Sequence, residues 1–121
     1  MTKILVVEDN PINMELVIEL LSTKGFIVNT AIDGEEAIRK TEKEVYDLIL
    51  MDIELPGKDG VEVTKIIKAK YKNISVIALT SYAMKGDKER FLSAGFDDYI
   101  PKPLDISEFL KKLEKYCKSS D

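Results

Sequence analysis

The sequence contains no histidine and no tryptophan, a single cysteine and only two arginines, Arg39 and Arg90. Without histidine the chain cannot run imidazole acid–base catalysis, build a histidine-ligated metal centre or carry a phosphohistidine of its own. One cysteine, Cys117, can form no internal disulfide, which fits a reducing cytoplasm. No apolar run approaches the length that spans a bilayer, and the amino terminus lacks a signal-peptide pattern, so membrane insertion is not expected. A net charge of −4, from 18 basic and 22 acidic side chains, argues against a nucleic-acid-binding surface. Internal repeats, low-complexity stretches and linkers are missing as well. What remains is 121 residues, 45% of them apolar: enough for one domain with a sizeable core and too few for a second.

What is present alternates. Strand-like segments fall at roughly 3–7, 27–31, 47–52, 75–79 and 97–100, with helix-like segments at roughly 10–24, 34–44, 59–71, 83–94 and 105–118. Asn10 suits a helix cap and Pro11 a first turn; Ile12, Leu16, Val17, Leu20 and Leu21 read as one apolar stripe, and Gly25 as the stop. Asp59 with Glu62, and Asp105 with Glu108, look like capping boxes with Asp in place of Ser or Thr. In the last helix Ile106, Phe109, Leu110, Leu113 and Cys117 share a face. The first, third and fourth strands are nearly continuous apolar runs, as parallel strands covered on both faces should be. Strict alternation with short connections predicts an α/β fold with a doubly wound, five-stranded parallel sheet. A strand order of 2-1-3-4-5 would set the ends of the first and third strands side by side at the switch point, bringing Glu8, Asp9 and Asp52 into one crevice.

Each of these strand ends carries chemistry. Ile4–Val7 runs into Glu8-Asp9, Leu48–Met51 into Asp52, Val76–Leu79 into Thr80-Ser81, and Tyr99-Ile100 into Pro101-Lys102-Pro103. Three carboxylates held close together repel one another and suit a hard divalent cation such as Mg²⁺, which takes one or two carboxylates, waters and a phosphate oxygen. Asp52, ionised at neutral pH, can accept a phosphoryl group as an acyl phosphate. Lys102 would neutralise one phosphoryl oxygen and Thr80 would donate a hydrogen bond to another. Each residue also has an ordinary reading. Glu8, Asp9 and Asn10 would cap the next helix, Thr80 would cap or bond a turn, Lys102 would be solvated, and Tyr99 would simply pack. Glu8 fits the capping alternative poorly, because a second acid beside a buried strand end adds repulsion and no cap. Gly57 and Gly60, around Lys58-Asp59, suit the turn into the third helix. The convergence of all four strand ends on one sheet edge favours the chemical reading.

Taken together, Asp47-Leu48-Ile49-Leu50-Met51-Asp52-Ile53-Glu54-Leu55-Pro56-Gly57, Ile77-Ala78-Leu79-Thr80-Ser81 and Tyr99-Ile100-Pro101-Lys102-Pro103 resemble the receiver domain of two-component response regulators. The likeness covers essentially the whole chain, residues 1–121. Asn10-Pro11-Ile12-Asn13 and Tyr82-Ala83-Met84-Lys85-Gly86-Asp87 are similar to stand-alone regulators and the receivers of hybrid kinases. The resemblance implies the flavodoxin-like fold, Asp52 as phospho-acceptor, and Mg²⁺, with Mn²⁺ as an alternative, on Glu8, Asp9, Asp52 and the backbone carbonyl of Glu54. It implies phosphoryl contacts from Thr80 and Lys102, a cis Lys102–Pro103 bond, and a switch made by Thr80 and a rotating Tyr99. Glu54 and Tyr82, two residues beyond Asp52 and Thr80, vary in the family and would tune dephosphorylation. The implied partners are a sensor histidine kinase or histidine phosphotransfer protein as donor, and a downstream protein as target. Catalysis would be limited to the chain's own phosphorylation and slow autodephosphorylation.

Three competing readings fit less well. An aspartyl phosphatase of the haloacid dehalogenase type would carry its nucleophile after the first strand with a second Asp two residues on, whereas here that strand ends in Glu8-Asp9-Asn10-Pro11. A flavodoxin needs a hydroxyl- and glycine-rich phosphate loop there, and this loop is doubly acidic. A receiver-like interaction scaffold that is never phosphorylated is argued against by the intact Glu8, Asp9, Asp52, Thr80 and Lys102. The chain ends about where the fifth helix ends, so output is expected through protein contacts unless the sequence is a piece of a longer protein.

Overall fold

The apolar runs form the centre of a five-stranded parallel sheet in a computed structural model, which describes residues 2–55, 57, 59–81 and 87–116, without the side chains of Asp87 and Lys88. In chain order the elements are β1 (Lys3–Val7), α1 (Pro11–Ser22), β2 (Ile27–Ala31), α2 (Gly34–Lys43) and β3 (Leu48–Asp52). Then follow α3 (Gly60–Lys70), β4 (Ser75–Thr80), α4 (Asp87–Ser93), β5 (Asp98–Pro101) and α5 (Ile106–Tyr116). The sheet order is β2-β1-β3-β4-β5, as the alternation predicts. Ile4 to Val7 lie in register with Leu48 to Met51, and Asp52 lies beside Leu79. This register carries Glu8 and Asp52 out of the sheet at the same edge.

Side chains alternate across a strand, so the sheet builds two separate cores. Ile4, Val6, Leu48, Leu50, Ile77 and Leu79 pack with Met14, Val17 and Leu21 of α1 and with Phe109 and Leu113 of α5. Leu5, Val7, Ile49, Met51, Val76 and Ala78 pack on the other face with Ala37 of α2, Val63 and Ile67 of α3, and Phe91 of α4. Every residue of β3 is buried, because it is flanked by two strands and covered on both faces.

Local signals explain most boundaries. Asn10 caps α1 by accepting from the N–H groups of Ile12 and Asn13, at 2.9 and 3.1 Å. The Asp59 and Asp105 carboxylates accept from Glu62 and Glu108 N–H at 2.9 and 3.0 Å, as the capping pattern predicts. Gly25 takes φ +76° just beyond α1, a conformation that costs glycine little. Gly60 is needed for a different reason: a Cβ there would lie 2.3 Å from the Asp52 carbonyl oxygen and 2.9 Å from Ile53 Cα. Only glycine lets α3 start hard against the end of β3.

Two expectations change. The α1 stripe was placed too far round the helix: Ile12 is 76% and Leu16 39% exposed, while Met14, Val17 and Leu21 are buried. In α5, Phe109 and Leu113 are buried and Leu110 is half-buried, whereas Ile106 is exposed; Cys117 lies outside the described residues. The fourth helix begins at Asp87 among the described residues, so the predicted start at Ala83 falls outside them.

Candidate functional site

The site is built where three parallel strands surface together. One carboxylate oxygen from each of Glu8, Asp9 and Asp52 lies within 4.8 Å of the others, which brings together the three acids singled out in the sequence. Their surroundings differ. Glu8 is 1% and Asp52 2% exposed, whereas Asp9 is exposed to solvent. Asp9 does not cap α1, a task that falls to Asn10.

Lys102 reaches this cluster from the loop after β5. Its Nζ donates to Glu8 Oε1 at 3.0 Å and lies 3.3 Å from Asp52 Oδ2. The Lys102–Pro103 peptide is cis, and the Lys102 N–H donates to the Thr80 carbonyl at 2.8 Å, tying that loop to the end of β4. Thr80 itself is fully buried at the last position of β4. Asp52 is fixed from another side, its Oδ1 accepting the Glu54 N–H at 2.9 Å. The exposed Glu54 carboxylate turns to β4 and accepts the Ser81 N–H at 3.3 Å.

Electrostatics follow from this crowding. Burial raises the Glu8 carboxyl from 4.5 to about 7, the hydrogen bond shared with Asp52 pushes the same way, and Lys102 and the Asn10 N–H only partly offset them. Burial also works against the Lys102 charge, yet its hydrogen bond to Glu8 and the fields of Asp52 and Glu8 prevail, raising the ammonium above its ordinary value. An incompletely neutralised set of hard oxygen donors on one sheet edge is the donor chemistry a small divalent cation takes.

These groups line a cleft of about 270 Å³, to which Asn10, Asn13 and Ser81 also contribute. A larger hollow of about 450 Å³ lies at the other end of the strands, between Glu44–Asp47 and Lys70–Ile74. Size does not decide between them: converging acids with a half-buried lysine occur only at the smaller one among the described residues.

Tyr99 sits apart from the cleft, half-buried on β5. Its ring packs against Phe91 of α4 at 6.2 Å, and Lys112 of α5 lies 4.7 Å from its centroid. Lys112 also bonds the Tyr99 carbonyl and pairs with Asp98 at 3.3 Å. Tyr82 lies outside the described residues. Sequence reasoning did not find the Glu8–Lys102 pair, the Glu54–Ser81 bond or Lys112. Of these only Lys112 left a trace, three residues beyond Phe109 and therefore at the border of the buried face of α5.

Comparison with known proteins gives a consistent result. The family model described as the response regulator receiver domain matches residues 4–114. A hybrid signal transduction histidine kinase I from Dictyostelium discoideum is 44% identical over 111 residues; the match takes in 84% of this chain but only 6% of that protein. The polar-differentiation response regulator DivK of Brucella ovis is 41% identical over 119 residues, covering 96% of this chain and 97% of the relative. Among solved structures, the receiver domain of a sensor histidine kinase from Pseudomonas aeruginosa PAO1, which has a magnesium ion coordinated in its active-site cleft, superposes with a TM-score of 0.88. It is 39% identical and covers 98% of each chain.

Proposed function

Because the chain belongs to the response regulator receiver domains of two-component signalling, we propose that it is a phosphorylation switch whose acceptor is Asp52. The observation that carries this reading is the convergence of buried Asp52 with Glu8, Asp9 and Lys102 at one sheet edge. The donor is a phosphohistidine on a sensor kinase or phosphotransfer protein. An Asp52 carboxylate oxygen attacks phosphorus, the bond to the donor imidazole nitrogen breaks, and its electron pair stays with the imidazole.

The chain supplies position and charge. The Glu54 N–H holds the Asp52 carboxylate in one rotation. Lys102, already 3.3 Å from Asp52, follows the growing negative charge from Glu8 towards the phosphoryl oxygens, and Thr80 donates its hydroxyl to another oxygen. Glu8, Asp9, Asp52 and the Glu54 carbonyl would hold Mg²⁺, which when bound offsets the charge of the acids and of the phosphoryl oxygens. Thr80 moving towards the phosphoryl group opens room for Tyr99, whose turn changes the surface formed by α4, β5 and α5. That surface meets the downstream protein. Glu54 and Tyr82 set how readily water reaches the acyl phosphate. No helix among the described residues is long and apolar enough to cross a membrane, and we place the switch in the cytoplasm as one receiver domain.

The test is intact-mass spectrometry after incubation with acetyl phosphate and Mg²⁺. Wild type gains one alkali-labile phosphoryl group and Asp52→Asn gains none. Equal incorporation by the two proteins, or none by wild type, overturns the reading.

A further inference from the structure

Glu54 makes a contact that phosphoryl transfer does not require. Its backbone N–H is committed to Asp52 Oδ1 at 2.9 Å, while its carboxylate crosses to β4 and accepts the Ser81 N–H at 3.3 Å. One residue therefore links the acceptor to the position directly after Thr80. Glu54 and Ser81 line the same cleft as Asp52 and Lys102. A backbone N–H facing a cleft made to receive an anion is an oxyanion donor, and here it already serves an anion belonging to the chain.

We infer that the Glu54 carboxylate is a built-in competitor of the phosphoryl group: it holds the Ser81 N–H in the resting protein and is displaced from it when Asp52 is phosphorylated. The inference rests on Asp52 being the acceptor. Three physical points support it. A phosphoryl group brings nearly two negative charges and strong acceptor oxygens into a cleft of about 270 Å³ whose lining holds one lysine. Two anions cannot both use one N–H with good geometry, and the phosphoryl group, carrying more charge and fixed on Asp52 inside the cleft, is the one that stays. The present contact, at 3.3 Å, is long for an N–H donor to a charged acceptor, so it is weak enough to be given up. Glu54 is exposed and regains water on release. Glu54 is thus a positioning residue that acts through Ser81, and it raises the threshold for switching.

The experiment uses the full chain with Mg²⁺ and beryllofluoride as the phosphoryl mimic, read by amide NMR, in wild type, Glu54→Ala, Glu54→Asp and Asp52→Asn. Glu54→Ala should move the resting Ser81 amide signal and bind beryllofluoride about fivefold tighter, the worth of one displaced hydrogen bond. Glu54→Asp keeps the charge but is one methylene too short to reach Ser81, and it too should bind more tightly than wild type. In the bound state the Ser81 signal should coincide in all three. Equal affinities for wild type and Glu54→Ala, or a Glu54→Asp protein that matches wild type, overturn the competition while leaving the acceptor reading intact. Absence of binding by wild type, or binding by Asp52→Asn equal to wild type, overturns the acceptor reading itself and the competition with it.

Discussion

Replacing Glu8 by glutamine should make the metal-free protein more stable at pH 8 and leave it little changed at pH 5. An unfolded glutamate gives up its proton near pH 4.5, whereas folded Glu8 keeps it to about pH 7 because the side chain is buried beside Asp52. Between those values folding takes up a proton, so the contribution of Glu8 to stability is fully present below pH 4.5 and is lost as pH rises through 7. Each pH unit in that window is worth about 1.4 kcal/mol. From pH 5 to pH 8 wild type should therefore lose roughly 2–3 kcal/mol that the variant keeps, since glutamine has no proton to surrender. In wild type Lys102 does not titrate in this range, because its ammonium is held above the ordinary lysine value. Glutamine also retains an oxygen for the Lys102 ammonium. The assay is urea unfolding of both proteins in chelator at pH 5 and pH 8. Parallel pH profiles for wild type and Glu8→Gln would refute the reasoning, because they would mean that Glu8 is no harder to ionise in the fold than in the open chain.

Mg²⁺ at a hundred times its dissociation constant should stabilise the chain by about 2.7 kcal/mol, and its affinity should fall about tenfold per pH unit below 7 as Glu8 takes up its proton; calorimetry checks both. Asp9→Ala should remove most of that response while slightly raising the metal-free melting temperature, because Asp9 is exposed and its loss relieves repulsion without opening a cavity. Gly60→Ala should cost roughly 2–3 kcal/mol in urea unfolding and slow phosphoryl uptake, since the new methyl group meets the Asp52 carbonyl. Lys112→Met should cost roughly 1 kcal/mol and shift the ring signals of Tyr99 in the unphosphorylated protein; an unmoved Tyr99 would show that Lys112 does not restrain it.

The sheet was legible because β1, β3 and β4 must satisfy two cores at once and can do so only as apolar runs. The acids and Lys102 were legible because each follows directly on such a run, and topology alone then decides that they meet. The face of α1 was not. Ile12, Met14, Leu16, Val17, Ile18, Leu20 and Leu21 supply apolar side chains almost all round, and with 3.6 residues per turn the row of 12 and 16 lies well away from the row of 14, 17 and 21. Only the position of the helix on the sheet selects between them. Contacts such as Glu8 with Lys102, 94 residues apart, depend on side-chain reach after assembly and leave no local pattern. The Glu54–Ser81 bond is invisible for the same reason.

The alternation of the strands has one more consequence. Asp52 continues the series of Leu48 and Leu50, on the side of α1 and α5, whereas Thr80 continues that of Val76 and Ala78, on the side of α2, α3 and α4. Tyr99 packs with this second side as well. The acceptor and the group proposed to respond to it thus grow out of different cores, and news of phosphorylation would pass through the sheet instead of along a layer. Inheritance can then edit the two halves separately. Substitutions in the α1/α5 core should alter how fast the group is taken up, those in the α2–α4 core how it is read, and descendants of one ancestral switch could keep the chemistry while exchanging the message.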